Sequence, residues 1–327
     1  MIKKTRQLLF PLGLLILGLA SIAYTSSSQA EKKEAGHGHD YRTFHQNGQI
    51  DYGYINDSYI ADLVMYLAGN QFMVMEELIS DFLSKHKNIQ TVYVETIPPG
   101  QILKGQILRQ GEINGRKTAQ NPDLYASVNL GHLKKLKAKK LMQDYMTYTH
   151  NKLELMVAKG NPKNIKGAED LGRNDLLQSH PNPLTEGIFK FYGSQMLKDL
   201  GLYEKVTADK KCKGCWAIEG KTWFTERHHR ETPYRIENNQ ADVGIVWTTE
   251  VKHAQSENRA VEGVEIAAPY NMSHKVGYAI GVLNTGRNQA NAKAYLDYLA
   301  TDRAQDIYAS YGFVKASAEE RKLKEIP

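Results

Sequence analysis

Hydrophobic and polar positions follow two different periods along the chain, and the period changes repeatedly from residue 60 onward. "IADLVMYLA" (60–68) has the length of a buried strand, whereas "FMVMEELISDFLSKH" (72–86) places its apolar residues at helical spacing. "IQTVYVET" (89–96) alternates as a strand does, "GQILKGQILRQG" (100–111) repeats as a helix does, and "PDLYASV" (122–128) is a third strand. This β-α-β-α-β order predicts parallel strands with helices packed on both faces.

The second half of the chain continues the alternation. The segments "LELMVAKGNP", "ADVGIVWTTEV" and "KVGYAIGVL" are predicted as strands. "LTEGIFKFYGSQMLKDLG" (184–201) is predicted as a helix that starts near Thr185 and ends at Gly201. "TPYRIENNQ" is predicted as a helix with Thr232 as its N-cap, and "NAKAYLDYLATDRAQDIYASYGF" (291–313) as one or two closing helices.

The first thirty residues have a different pattern. Lys3, Lys4 and Arg6 precede the apolar run 8–24, and Ser28-Gln29-Ala30 supplies small residues at a cleavage position. This pattern is typical of a secretory signal peptide over residues 1–30, with an uncleaved membrane anchor as the alternative. We therefore expect a periplasmic protein.

Residues 31–57 are polar and lack apolar periodicity, so they are predicted to form a flexible polar leader. His37, His39 and His45 make metal binding by this leader an alternative to a solvated tail, because imidazole is a common metal ligand. The formal net charge of +6 falls by three when residues 1–30 are removed. A charge this small argues against nucleic acid as a partner.

Two cysteines occur, Cys212 and Cys215, in "KKCKGCWAI". Because an exported protein meets an oxidising compartment, a short-loop disulfide is the first expectation, and a metal or redox role for the pair is the alternative.

The order of these segments resembles that of the periplasmic solute-binding proteins of ABC transporters, in particular the molybdate-binding group. Four stretches carry the resemblance over roughly residues 60–315: "PDLYASVN", "LELMVAKGNP", "ADVGIVWTTE" and "KAYLDYLATDRAQDIYASYGF". The resemblance implies an α/β, two-lobed type II binding fold, with parallel-type sheets, flanking helices and a central cleft. It implies residues 59–147 plus 270–327 in the first lobe and 150–266 in the second.

The resemblance also places the ligand between loops at the carboxyl ends of strands, which is the position that open α/β sheets favour in general. The ligand-binding residues expected on these loops come from five separate stretches of the chain. They are Asn70, Gln71, Gly100, Gln101, Glu186, Gly187, His228, His229, Arg230, Glu231, Thr232 and Trp247. Several of them replace the residues usual in the molybdate-binding group, since Asn70 and Gln101 stand for serines, Glu186 for a small residue and Trp247 for a tyrosine.

Glu186 makes the sign of the ligand charge the open question. A carboxylate within 4 Å of an anion costs about 4 kcal/mol at an effective dielectric near 20. Either Glu186 serves only the helix dipole or pairs with Arg230, which keeps a molybdate-like oxyanion plausible, or it faces the ligand unpaired and favours a cation or an amine.

The sequence therefore predicts a monomeric binding protein without a cofactor, which passes a small ligand to the membrane subunits of an ABC transporter. The alternatives are a binder of metal cations or small polar organic solutes, and an accessory metal- or redox-sensing protein. An enzyme is not expected, because no Ser/His/Asp order and no HExxH motif occur, and only His228, His229 and Glu231 could perform acid–base chemistry.

N-terminal sequencing of the exported protein tests the signal peptide. We expect the mature chain to begin at Glu31. A chain that begins at Met1 and remains in the membrane would contradict cleavage.

Overall fold

The computed structural model describes residues 40–109, 111–113, 116–119, 121–128, 130–226 and 231–327. The predicted signal peptide, His37 and His39 lie outside these described residues. The strands, in chain order, are β1 (Tyr41–His45), β2 (Ile50–Tyr52), β3 (Leu63–Ala68), β4 (Thr91–Ile97), β5 (Glu112–Ile113), β6 (Arg116–Lys117), β7 (Leu124–Ser127), β8 (Asp144–His150), β9 (Leu153–Ala158), β10 (Gln178–His180), β11 (Cys215–Ile218), β12 (Thr222–Phe224), β13 (Val243–Trp247), β14 (Val261–Glu265), β15 (Gly277–Val282), β16 (Val314–Lys315) and β17 (Lys324–Glu325).

Helical segments alternate with these strands. The α-helices are α1 (Met75–Lys85), α2 (Leu130–Ala138), α3 (Ser194–Asp199), α4 (Tyr203–Thr207), α5 (Glu231–Glu237), α6 (Thr248–Ser256), α7 (Gln289–Leu299) and α8 (Asp302–Ser310). Two segments have the wider π-helical turn, and we call them π1 (Ile102–Ile107) and π2 (Ile188–Gly193). Shorter helical turns cover Ile55–Tyr59, Gly69–Val74, Pro99–Gln101 and Ala168–Gly172.

The strands form two main sheets. In the part of the chain that is described, the larger sheet has the order β16-β8-β15-β7-β3-β4-β1-β2, with β17 paired to β8. The smaller sheet has the order β11-β12-β10-β13-β9-β14. Strands β3, β4 and β7 are mutually parallel in the first sheet, as are β10, β12 and β13 in the second. We call the part built on the larger sheet the first lobe and the part built on the smaller sheet the second lobe.

The chain passes between the sheets twice. It leaves the larger sheet after β8 and enters the smaller sheet at β9, and it returns between β14 and β15. The C-terminal helices belong to the first lobe, since α7 packs near β15 and α8 packs on α1.

Several predicted elements are confirmed with small shifts in their bounds. The apolar stripe of α1 is fully buried at Leu78, Ile79 and Phe82, as its helical spacing predicted. The predicted helix over 100–111 differs, because its regular part is π1 rather than an α-helix. Thr232 is not an N-cap, since α5 already includes Glu231.

The prediction of a flexible leader over residues 31–57 is wrong for its second half. Tyr41–His45 pairs antiparallel with β4, and Ile50–Tyr52 pairs with β1, so both strands extend the first sheet. Arg42 is almost fully buried and donates to the Phe72 carbonyl at 2.6 Å. Long-range pairing thus orders a segment whose own polar pattern predicts none.

Asp123 joins three elements of the first lobe. This side chain is 1% exposed and accepts hydrogen bonds from the Val64 backbone at 2.8 Å and the Asn288 backbone at 2.7 Å. The Asn288 side-chain amide donates to it as well, at 3.0 Å. Asp123 therefore fastens the start of α7 to the edge of β3 and β7.

Asp123→Ala should lower the free energy of unfolding by about 2–4 kcal/mol, because buried donors lose a charged acceptor. Chemical denaturation of the purified protein measures the change. Asp297→Ala is the matched control, since Asp297 is 62% exposed and pairs with Lys293 one turn away, a contact of about 0.5 kcal/mol or less. Equal midpoints for the two variants would contradict this role of Asp123.

Candidate functional site

A cavity of about 490 Å³ lies between the two lobes. Its walls come from loops that follow β3, β4 and β7 in the first lobe and β10 and β13 in the second. The lining residues are Ala68, Gly69, Asn70, Pro98, Pro99, Gly100, Gln101, Lys104, Gly105, Arg109, Ser127, Val128, His132, Leu184, Thr185, Glu186, Gly187, Ile188, Lys190, Phe191 and Trp247.

Asn70 is a buried, hydrogen-bonded residue of the first-lobe wall. It follows β3 directly in the turn Gly69–Val74, it is 4% exposed, and its side-chain amide donates to the Tyr278 hydroxyl. Gln101 is exposed to the cavity at the end of the turn that leads into π1. The carboxyl ends of β3 and β4 thus present two side-chain amides to one space.

The second-lobe wall begins at the turn 181–187. Asn182, rather than Thr185, organises this turn, because its Oδ1 accepts from the backbone N–H groups of Leu184 and Thr185 at 3.1 and 2.8 Å. The turn delivers Glu186 to the cavity wall with only 2% of its surface exposed. Glu186 therefore lies at the cavity rather than on an outer helix surface.

The two lobes touch each other at the cavity wall. The Tyr192 hydroxyl, on π2, donates to the Val128 carbonyl of the first lobe at 2.6 Å. The Tyr192 ring meets the Trp247 ring edge to face, with centroids 5.6 Å apart. Burial raises the pKa of Tyr192, so the hydroxyl keeps its proton and remains a donor.

Positive charge exceeds negative charge at the cavity. Among the described lining residues, Lys104, Arg109 and Lys190 are cationic, and Glu186 is the one carboxylate. His132 adds no charge near neutral pH, because burial and the nearby lysines lower its pKa to about 4. Its Nδ1 lies 2.9 Å from the Ser127 hydroxyl. The cavity is therefore suited to an anionic group.

A buried carboxyl group supports π1 from behind. Glu95, on β4, is fully buried, and its Oε2 accepts from the Gln106 side chain at 2.9 Å. Gln106 lies on π1, two residues after Lys104, and its amide also contacts Thr118 at 2.8 Å. Burial is the main cause that raises the pKa of Glu95 to about 8. A protonated carboxyl group thus anchors the helix that carries Lys104.

A buried histidine supports π2 in the same way. His180, at the end of β10, stacks on Phe189 of π2 with ring centroids 5.8 Å apart. Its Nδ1 accepts from the Ile245 backbone at 3.3 Å, and its Nε2 lies 2.8 Å from the Gln178 side-chain oxygen. Burial lowers the pKa of His180 to about 3, which keeps the ring neutral.

Six of the residues expected at the ligand site line this cavity: Asn70, Gly100, Gln101, Glu186, Gly187 and Trp247. Gln71 does not, because it is fully buried and accepts from the hydroxyls of Tyr148 and Tyr308 at 2.8 and 2.9 Å. His228, His229 and Arg230 lie outside the described residues.

Glu231 and Thr232 are absent from the lining residues. Glu231 accepts from the Glu226 backbone at 2.6 Å, and Thr232 contacts the Ser179 carbonyl at 3.4 Å. The Thr232 methyl group occupies the space that a Cβ on Gly244 would need, so Thr232 packs α5 on the second sheet. Cys212 and Cys215 are joined by a disulfide at the start of β11, and neither lines the cavity.

Six further lining residues were not expected from the sequence: Lys104, Arg109, Ser127, His132, Lys190 and Phe191. Ser127 could have been found, because it ends a predicted parallel strand, where sites of such sheets gather. Lys190 follows Glu186 by four residues and so shares its helical face. Nothing in the local pattern around His132 indicates a site.

Two features are absent from the part of the chain that the structure describes. No group of three or more His, Cys, Asp or Glu side chains converges there as a metal site. No helix there is long and apolar enough to cross a membrane.

The chain belongs to the bacterial extracellular solute-binding protein family, whose model matches residues 63–314. It is 30% identical over 115 residues to the molybdate-binding protein ModA of Escherichia coli K12, which is 35% of this chain and 41% of ModA. It is 27% identical over 169 residues to the thiosulfate-binding protein of the same organism, half of this chain and 49% of that protein. The chain thus spans about half the length, or less, of these curated relatives.

The periplasmic molybdate-binding protein of Azotobacter vinelandii has a similar solved structure. The TM-score is 0.60 at 20% identity, and the match covers 78% of this chain and all of that one. This likeness confirms the two-lobed type II periplasmic-binding-protein fold.

Glu95→Gln should change how stability depends on pH. The folded protein binds the Glu95 proton more tightly than the unfolded chain, whose carboxyl has a pKa near 4.5. The contribution of Glu95 to the wild-type free energy of unfolding should therefore be largest below about pH 4.5 and should fall as the pH rises toward about 8. A glutamine has no proton to lose, so this fall should be absent in Glu95→Gln. As the pH rises, the free energy of unfolding of the variant should increase relative to that of the wild type by a few kcal/mol.

Denaturation at pH 5, 7 and 8.5 measures this difference, with Glu169→Gln as the exposed control. If the free energy of unfolding depends on pH in the same way in the wild type and in Glu95→Gln, Glu95 is not held neutral in the folded protein.

Proposed function

We propose that this protein captures a small anionic solute in the interlobe cavity outside the cytoplasmic membrane and delivers it to the membrane subunits of an ABC transporter. A molybdate-like oxyanion is the simplest candidate. The supporting observation is that Lys104, from the first lobe, and Lys190, from the second, line the same cavity.

Charge from both lobes suits a protein that closes on its ligand. An anion that contacts both lysines gains interactions in the closed arrangement that one lobe alone cannot supply, so binding favours closure. Asn70, Gln101 and Ser127 add hydrogen-bonding groups on the first-lobe wall. The names of two relatives, a molybdate-binding and a thiosulfate-binding protein, agree with an oxyanionic ligand.

A metal cation is the less favoured ligand. The described lining residues hold one carboxylate against three cationic side chains, and a divalent cation prefers several carboxylate or imidazole ligands. Redox sensing by Cys212 and Cys215 is not supported by the cavity, because the disulfide lies elsewhere in the second lobe.

Lys104→Ala and Lys190→Ala should each weaken anion binding about 10- to 100-fold, which corresponds to the loss of a charge-assisted contact. Titration calorimetry on the mature protein measures this with molybdate, tungstate, sulfate, thiosulfate or phosphate, whichever raises the melting temperature. Binding should also weaken as salt concentration rises, because both lysines are exposed to solvent.

Lys293→Ala is the matched control, since Lys293 pairs with Asp297 on the exposed face of α7. A melting temperature that rises with divalent metals and with no anion would overturn the proposal. So would anion affinities that remain unchanged in both cavity variants.

A further inference from the structure

The cavity is larger than a bare oxyanion requires. A tetrahedral oxyanion presents four oxygens, each comparable to a water molecule, and so occupies on the order of 100 Å³. The cavity measures about 490 Å³, which lies in the range of sites for small organic molecules. A bare oxyanion would leave most of this space to water.

The two lobes are not separated from each other beside this extra space. Tyr192 of the second lobe already donates to the Val128 carbonyl of the first lobe at 2.6 Å, beside the cavity. Phe72 of the first lobe and His253 of the second also meet edge to face, with ring centroids 4.9 Å apart. The two lobes are therefore already in contact at these two points.

One wall of the cavity leaves large apolar side chains uncovered. Leu184 is 48% exposed and Phe191 is 39% exposed, and both line the cavity. A ligand that covers such surface gains about 25 cal/mol of binding free energy per Å² of apolar area removed from water. An inorganic ion has no apolar surface with which to make this gain. The Nζ of Lys190 lies 5.6 Å from the centroid of the Phe191 ring. A cationic group and an exposed aromatic face thus adjoin on the same wall.

We propose that the solute is a small organic anion, whose oxyanionic group contacts Lys104 and Lys190 and whose organic body covers Phe191 and Leu184. This inference rests on the proposed function, because it takes the same cavity and the same lysines as the anion site. It narrows the class of solute, because it assigns the apolar wall a share of the binding and expects an organic anion to bind more tightly than a bare oxyanion.

The test compares anions that share a charged group but differ in their body. Titration calorimetry on the mature protein would use acetate and benzoate, methanesulfonate and benzenesulfonate, and methylphosphonate and phenylphosphonate. Sulfate, phosphate and molybdate are the inorganic references. In at least one pair we expect the larger member to bind tenfold or more tightly than the smaller, and more tightly than every inorganic anion.

Phe191→Ala distinguishes the contribution of the organic body to binding from that of the charged group. It should remove most of the preference for the larger member and leave the affinity for the smaller member within about twofold. Tyr234→Ala, which removes an exposed aromatic side chain of the second lobe outside the cavity, is the matched control.

Two results distinguish this inference from the proposed function. Tight binding of molybdate, sulfate or phosphate, with no gain from an organic body, would overturn the organic-anion proposal and leave anion capture standing. Failure of all nine anions, and of tungstate and thiosulfate, to bind would overturn both.

Discussion

The cavity depends on how the two segments that cross between the sheets are held against each other. The Leu153 backbone, at the end of the first crossing, donates to the Asn271 carbonyl in the second at 2.8 Å. Asn151 in the first crossing donates to Tyr278 at 3.2 Å and to Thr249 of the second lobe at 3.1 Å. Tyr278 also accepts from Asn70 at the cavity. Because these groups are buried, each lost contact would leave a polar atom without water, so the network holds the two crossing segments together beside the cavity.

Both lobes use the same local solution to present a lysine. In each, a strand ends in a proline-containing turn, and the turn leads into a π-helical segment, π1 or π2. The wide π turn is uncommon and occurs often at functional sites. Each segment rests on a buried group kept neutral by its surroundings, Glu95 behind π1 and His180 behind π2. A neutral support does not offset the positive charge at the cavity.

Lysine, arginine and glutamate side chains, rather than histidine, supply the charge of the described cavity lining. His132 would add a pH-dependent charge if it were exposed, but its burial and the neighbouring lysines keep it uncharged. Glu186 brings negative charge to the same wall. The lining as a whole places cationic side chains beside apolar surface, since Lys190 adjoins the exposed Phe191 ring there.

The sequence by itself determined the succession of strands and helices, because the apolar periods of β3, α1 and β13 are local properties of the chain. The resemblance to the solute-binding proteins also led us to expect Asn70, Gln101, Glu186 and Trp247 at one cleft, at the carboxyl ends of strands in both sheets. Only the tertiary structure decided that residues 41–52 join the first sheet, that Glu95 is buried behind π1, and that Lys104 and Lys190 line one cavity. These features arise from contacts between residues far apart in the chain, and no local pattern records which distant segment will supply the partner.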